Sequence, residues 1–159
     1  MKEVEKYLKD LGIEYKIVNH PPATTTEMAD EYIEGHEGVR TKTMFLTNKK
    51  KTRYFLVVMD ESKRLDMNSF KEDLGESNIK MASSNSLKEK MNLEPGVVSI
   101  FGLLNNKEKD IRVFIDKDIA GDSILTFHPN TNEATLFIKT KDTRKFLESL
   151  DYKLEEISL

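Results

Sequence analysis

Apolar side chains recur along this chain at two spacings, and each spacing predicts its own kind of element. Val4, Tyr7, Leu8 and Leu11 return every three to four residues and Gly12 follows them, the pattern of an amphipathic helix over residues 2–11 with a glycine stop. Tyr15, Ile17 and Val18 read as a short strand that ends at His20-Pro21-Pro22, because proline has no amide for a ladder and restricts the residue before it. Thr25 or Thr26 supplies a capping hydroxyl for a second helix through Ile33, released by Gly35 and Gly38. Residues 41–47 and 53–60 are β-rich runs around the polar tip Asn48-Lys49-Lys50-Lys51-Thr52, a hairpin with a solvated loop. Asp66 or Asn68 caps a helix reaching Leu74, residues 79–82 form a short strand, and Ser84 or Asn85 caps a helix through Met91.

Beyond Gly96 the pattern turns to strands. Residues 97–104, 111–116, 124–127 and 133–138 are apolar runs separated by polar turns and are expected to form the central sheet. A last helix over 143–150, capped by Thr140 or Asp142, and an edge strand within 152–157 complete the order. No repeat, proline-rich linker or compositional break divides the chain, so the expectation is one α+β domain over residues 1–159, with helices packed on a mixed sheet.

Composition narrows the chemistry. With 25 Lys and Arg against 28 Asp and Glu, the formal charge of −3 argues against coating of duplex DNA by a broad basic face and leaves room only for a local grip on a nucleic-acid end. The absence of cysteine excludes disulfides, thiolate nucleophiles, iron–sulfur ligation and Cys-based zinc sites. The charged first ten residues do not read as a signal peptide, and no run approaches the roughly 18 apolar residues that span a bilayer, so a soluble cytoplasmic protein without membrane contact is expected. His20, His36 and His128 make no i, i+4 pair, and Asp60, Asp66, Asp110, Asp116 and Asp118 read as turn formers at strand ends. No Gly-rich phosphate loop and no Gly-x-Ser-x-Gly elbow is present, so neither a metal nor a cofactor is expected. The lysines of the hairpin tip read first as a solvated face and second as a basic strip, Lys49 to Arg53, for phosphates.

Three short segments carry candidate chemistry. Alternation in the first hairpin strand places Lys42, Met44 and Leu46 on one face and Thr41, Thr43 and Phe45 on the other, so Lys42 shares an apolar face and calls for an anionic or carbonyl partner. A lysine snorkelling at a strand end is the plainer alternative. Pro95-Gly96 is a turn at which the backbone can approach a ligand closely, with neighbouring amides available to a developing oxyanion. His128 follows a strand and is held by Pro129, a place where a histidine is usually structural.

In this order and spacing the segments resemble the YbaK/ProX family of aminoacyl-tRNA editing domains, and most closely its free-standing alanyl-tRNA(Pro) deacylases of the ProXp-ala or PrdX type. The likeness rests on His20-Pro21-Pro22, on Thr41-Lys42-Thr43-Met44-Phe45-Leu46, on Pro95-Gly96-Val97-Val98-Ser99 with Phe101-Gly102-Leu103, and on Phe127-His128-Pro129 with Asn132-Glu133-Ala134-Thr135. It implies a mixed, largely antiparallel sheet flanked by helices, no metal or cofactor, and hydrolysis of the ester joining a wrong amino acid, alanine, to tRNA(Pro). It also implies the acceptor end of mischarged tRNA(Pro) as a partner, with prolyl-tRNA synthetase or an elongation factor as a further one. By the same resemblance Lys42 is the essential lysine near the terminal adenosine, and Gly96, Val97, Val98 and Ser99 line the ester. His20, Thr43, Met44, Ile100, Phe101, Gly102 and His128 contact substrate, with His128 shaping the amino-acid pocket. Thr43 stands where the family usually has asparagine, and Ile100 where its loop has proline. Two alternatives stay open: the same fold acting on Cys-tRNA(Pro) or another mischarged tRNA, and a non-catalytic module that binds a tRNA end or a synthetase.

Overall fold

The computed structural model describes residues 1–159. Helix α1 (Lys2–Asp10) buries Val4 and Leu8, and Gly12 turns the chain with φ of +70° into β1 (Tyr15–Asn19). Helix α2 (Thr26–Tyr32) starts where Thr25 Oγ1 accepts the Met28 amide at 3.1 Å. Strands β2 (Thr41–Asn48) and β3 (Tyr54–Asp60) form the expected antiparallel hairpin, with Lys42 opposite Met59 and Thr43 opposite Val58. Helix α3 (Met67–Leu74) is capped by Asp66 and closed by Gly75, and β4 (Ile79–Met81) follows. Helix α4 (Ser84–Met91) is capped by Ser83, one residue earlier than expected.

The strand predicted over 97–104 does not form. Glu94 to Val97 is a turn, closed by the Val97 amide on the Glu94 carbonyl at 3.2 Å, and Ile100–Asn105 is a 3-10 helix. Ser99 decides the difference: its hydroxyl accepts the Phe101 amide at 3.2 Å, and its carbonyl accepts the Gly102 amide at 3.1 Å. A short apolar run buried on all sides does not separate strand from helix by periodicity. Strands β5 (Ile111–Asp116), β6 (Ile124–Phe127) and β7 (Ala134–Lys139) then lead to helix α5 (Thr140–Ser149) and β8 (Leu154–Ile157). Helix α5 begins three residues before the predicted start and has no side-chain cap.

The strands divide into two sheets, ordered β1-β7-β6 and β4-β2-β3-β5-β8, so β5 does not join β6 and β7 in one central sheet. The smaller sheet is antiparallel throughout, whereas the larger pairs β3 with β5 and β5 with β8 in parallel. The whole is α+β, with mixed, mostly antiparallel sheets flanked by helices. One face of the larger sheet, with Phe45, Leu56 and Val113, meets α1, α4, α5 and the smaller sheet in the main core. Its other face, with Leu46, Phe55 and Val57, is covered by Phe70 of α3. Residues 39–41 join the two sheets. The Val39 amide reaches the Ile124 carbonyl at 2.8 Å, the Thr126 amide reaches the Val39 carbonyl at 3.2 Å, and the Thr41 amide reaches Thr126 Oγ1 at 3.2 Å.

Candidate functional site

That junction sets the start of β2 beside the end of β6, and it thereby brings Lys42 and Thr43 next to Phe127 and His128. A cavity of about 550 Å³ opens there, between α2, the first residues of β2, the Pro95-Gly96 turn and the loop after β6. Lys42, Thr43, Gly96, Val97, Val98 and His128 all line it.

Lys42 is half-buried on the face it shares with Met44 and Leu46, as alternation predicted, and its Nζ donates to the main-chain oxygen of Lys63. An ammonium has three donors, so two remain for a ligand. Gly96 has φ of +87° after Pro95, the pairing a type II turn requires, and a Cβ at this position would meet nothing within 4 Å. The Val97 amide closes the turn, while neither the Gly96 nor the Val98 amide is taken by a backbone carbonyl. Two N–H groups of residues that line the cavity therefore remain without a backbone acceptor.

Burial, and secondarily the nearby His20, holds the His128 imidazole below its usual value, so the ring is neutral near pH 7; its Nδ1 is buried without a hydrogen-bond partner. His20 stands behind this wall. Its ring stacks on Tyr32 at 5.1 Å, and Nε2 lies 3.0 Å from the hydroxyl of Thr135, which does line the cavity.

The remaining predicted residues lie elsewhere. Ser99 is fully buried and caps the 3-10 helix, and Ile100 and Phe101 are fully buried in the main core. Gly102 packs so tightly that a Cβ would stand 2.6 Å from Leu93 Cδ1. Met44 is half-buried against the smaller core under α3.

The cavity also holds residues that sequence reasoning did not single out. Glu61, in the loop after β3, faces Asp30 of α2. Burial first, then the hydrogen bond and charge of Asp30, push the Glu61 carboxyl up to about 8, with Arg40 opposing, so it stays protonated near neutrality. Nothing local marks this pair, because its members are joined only by the packing of α2 onto the loop. Thr126 and Asn132 complete the wall, Asn132 through a bond from Nδ2 to the Ala23 carbonyl at 3.3 Å. Thr126 lies inside the strand predicted over 124–127, and Asn132 in the segment Asn132-Glu133-Ala134-Thr135 that carries the family likeness, but neither is given a role in the site by sequence reasoning. No three His, Asp or Glu side chains converge anywhere in an arrangement that could hold a metal ion. The lysines of the hairpin tip are exposed and lie seven residues along β2 from Lys42, about 23 Å at the usual strand rise.

Such a cavity has room for a small ester and is lined by residues that carry an ammonium, two amides without backbone acceptors and a neutral imidazole. A family model described as an aminoacyl-tRNA editing domain matches residues 20–146. The chain is 29% identical over 152 residues to the prolyl-tRNA editing protein ProX of Acetoanaerobium sticklandii, across 96% of this chain and 93% of that protein. It is 32% identical over 153 residues to the prolyl-tRNA synthetase associated domain-containing protein 1 of Danio rerio, across 95% of this chain and 83% of that one. Crystal structures of a hypothetical protein (TM-score 0.77, 20% identity, 99% of both chains) and of a candidate trans-editing enzyme for prolyl-tRNA synthetase (TM-score 0.74, 18% identity, 99% of this chain and 96% of that one) share the fold. No helix is long and apolar enough to cross a membrane.

Proposed function

Since the chain belongs to the aminoacyl-tRNA editing domain family and is therefore an aminoacyl-tRNA deacylase, we propose that its substrate is mischarged tRNA(Pro), and in particular alanyl-tRNA(Pro), hydrolysed in trans. The observation that carries this reading is the meeting of Lys42, the Gly96–Val98 backbone and His128 around one cavity.

In the proposed reaction a water oxygen bonds to the ester carbonyl carbon, the bond from that carbon to the ribose oxygen breaks, one water proton passes to that ribose oxygen to make its hydroxyl, and the other is released as the new carboxyl ionises. The products are free alanine and uncharged tRNA. The ester is already reactive, so the protein supplies position and charge. Lys42 stabilises negative charge developing on the carbonyl oxygen or neutralises the terminal phosphate, while the Gly96 and Val98 amides, which no backbone carbonyl takes, serve as further donors. Ala23, Ala29, Val97 and Val98 give the cavity small apolar surfaces that suit a methyl side chain. Size selection matters because binding alone separates small apolar groups by only about 1–3 kcal/mol per methylene.

Incubating the protein with alanyl-, cysteinyl-, seryl- and prolyl-tRNA(Pro), and with alanyl-tRNA(Ala), tests the reading. Fastest loss of alanyl-tRNA(Pro) is expected. Preference for the cysteinyl substrate would transfer the function to that ester, and binding without hydrolysis would make the chain a binding module.

A further inference from the structure

We propose that Lys63 is a positioning residue for Lys42: held by Asp116 and Asp118, it fixes its own main-chain carbonyl against the Lys42 ammonium and so directs the two remaining N–H donors into the cavity. The proposal rests on the reading that Lys42 acts on the ester.

The geometry runs through one short loop. The chain leaves β3 at Asp60, whose carboxylate accepts the Ser62 amide at 2.9 Å and the Ser62 hydroxyl at 2.7 Å, and whose carbonyl accepts the Lys63 amide at 3.0 Å. This turn points the Lys63 carbonyl at Lys42 on the neighbouring strand. Nothing in the turn itself secures that carbonyl to the sheet. The Lys63 side chain does so: Nζ lies 2.7 Å from Asp116 Oδ2 and 2.5 Å from Asp118 Oδ2.

Asp116 is the last residue of β5 and is 1% exposed, unlike the partner in an ordinary surface ion pair. Exposed pairs contribute little because both side chains stay mobile. Here one partner is fixed by the central strands, and its other oxygen accepts the Asp118 amide at 3.2 Å, which also orders the 3-10 turn after β5. One lysine thus grips the sheet with its side chain and presents its backbone to a second lysine. Releasing the grip frees the carbonyl, and the Lys42 ammonium then samples rotamers that leave the cavity.

Two measurements on the full chain test this. In the first, deacylation of alanyl-tRNA(Pro) is followed for wild type, Lys63→Met and Lys63→Arg. A fall in kcat of about tenfold with KM within twofold is expected for Lys63→Met, and recovery of most of the rate for Lys63→Arg, whose guanidinium still reaches both carboxylates. The second is independent of activity: lysines are acetylated with an activated ester and the peptides read by mass spectrometry. Labelling of Lys42 should rise severalfold in Lys63→Met and stay at the wild-type level in Lys63→Arg. Unchanged kcat and unchanged Lys42 labelling in a folded Lys63→Met protein overturn the proposal. If labelling rises as expected but the wild type does not hydrolyse the ester, or Lys42→Ala hydrolyses it normally, the functional reading fails and the positioning stands. Should Lys63→Met not fold, Asp118→Asn removes the exposed half of the grip; an intermediate effect on both measures supports the proposal and none overturns it.

Discussion

Lys42 stands half-buried at the start of β2 with one donor on the Lys63 carbonyl, so truncating it removes a charge from the cavity without opening the main core. Lys42→Ala is expected to lower the rate of alanine release by about a hundredfold or more, the scale of losing one preorganised oxyanion donor, while stability moves by no more than about 1 kcal/mol. Single-turnover deacylation and urea melts read the two effects separately. His128 calls for a different outcome because its imidazole is neutral and its Nδ1 has no partner. His128→Ala should reduce alanyl hydrolysis and shift the ratio of rates among aminoacyl groups, since it changes the shape of the pocket more than the chemistry. An unchanged ratio with an unchanged alanyl rate would make the residue structural. Glu61 gives a pH signature. Its carboxyl keeps its proton up to about 8 in the folded chain, against an ordinary value of 4.5, so the stability it contributes is full below pH 4.5 and is lost as the pH rises to about 8. Glu61→Gln cannot titrate. Thermal melts should therefore show it gaining on wild type at pH 8 relative to pH 4.5, and an equal gap at both pH values would show that the fold does not hold the Glu61 carboxyl protonated.

Elements differ in how far local pattern reaches. Helix α1, the β2–β3 hairpin, the Asp66 cap of α3 and the alternating faces of β2 were legible because period, cap and turn all lie within a few residues of one another. The same reach placed Lys42, Gly96 and His128 at element ends, where loops converge on the cavity. It failed at Ile100–Asn105, where four buried apolar residues fit either a strand or a helix and a single serine hydroxyl settles the matter. It also could not show Asp30 beside Glu61, since their pairing depends on the docking of α2 and on no feature of either segment. The glycines of this region act at opposite limits. At Gly102 a Cβ meets Leu93 and Met91 at 2.6 and 3.0 Å, so Gly102→Ala should cost about 1–3 kcal/mol by overpacking. At Gly96 there is space but φ is +87°, so Gly96→Ala should cost about 1–2 kcal/mol through the backbone. By turning the Gly96 and Val98 amides away it should lower kcat as well. Chemical denaturation beside kinetics separates the cases, with activity per folded molecule falling at Gly96 and holding at Gly102.

For the whole molecule, the pairing of two sheets through residues 39–41 governs the site. Two sheets replaced the one expected because strand partners far apart in the chain leave no trace in local spacing. Thr126 ties them twice, its hydroxyl donating to the Val39 carbonyl at 2.9 Å and accepting the Thr41 amide at 3.2 Å. Thr126→Val should cost about 1–3 kcal/mol by leaving the Thr41 amide unsatisfied, and it should reduce kcat beyond what the unfolded fraction explains, because Lys42 is the next residue. Equilibrium melts with kinetics at saturating substrate test both parts. The junction has a consequence for motion. A segment hydrogen-bonded into both sheets leaves no hinge between them, so the cavity stands open to substrate without any closing of one sheet on the other. The amides of Val39, Thr41 and Thr126 should then exchange their hydrogens for deuterium only through unfolding of the whole chain, at the rate of the slowest amides in β3 and β5, and the acceptor end of a tRNA should leave that rate ordering as it found it.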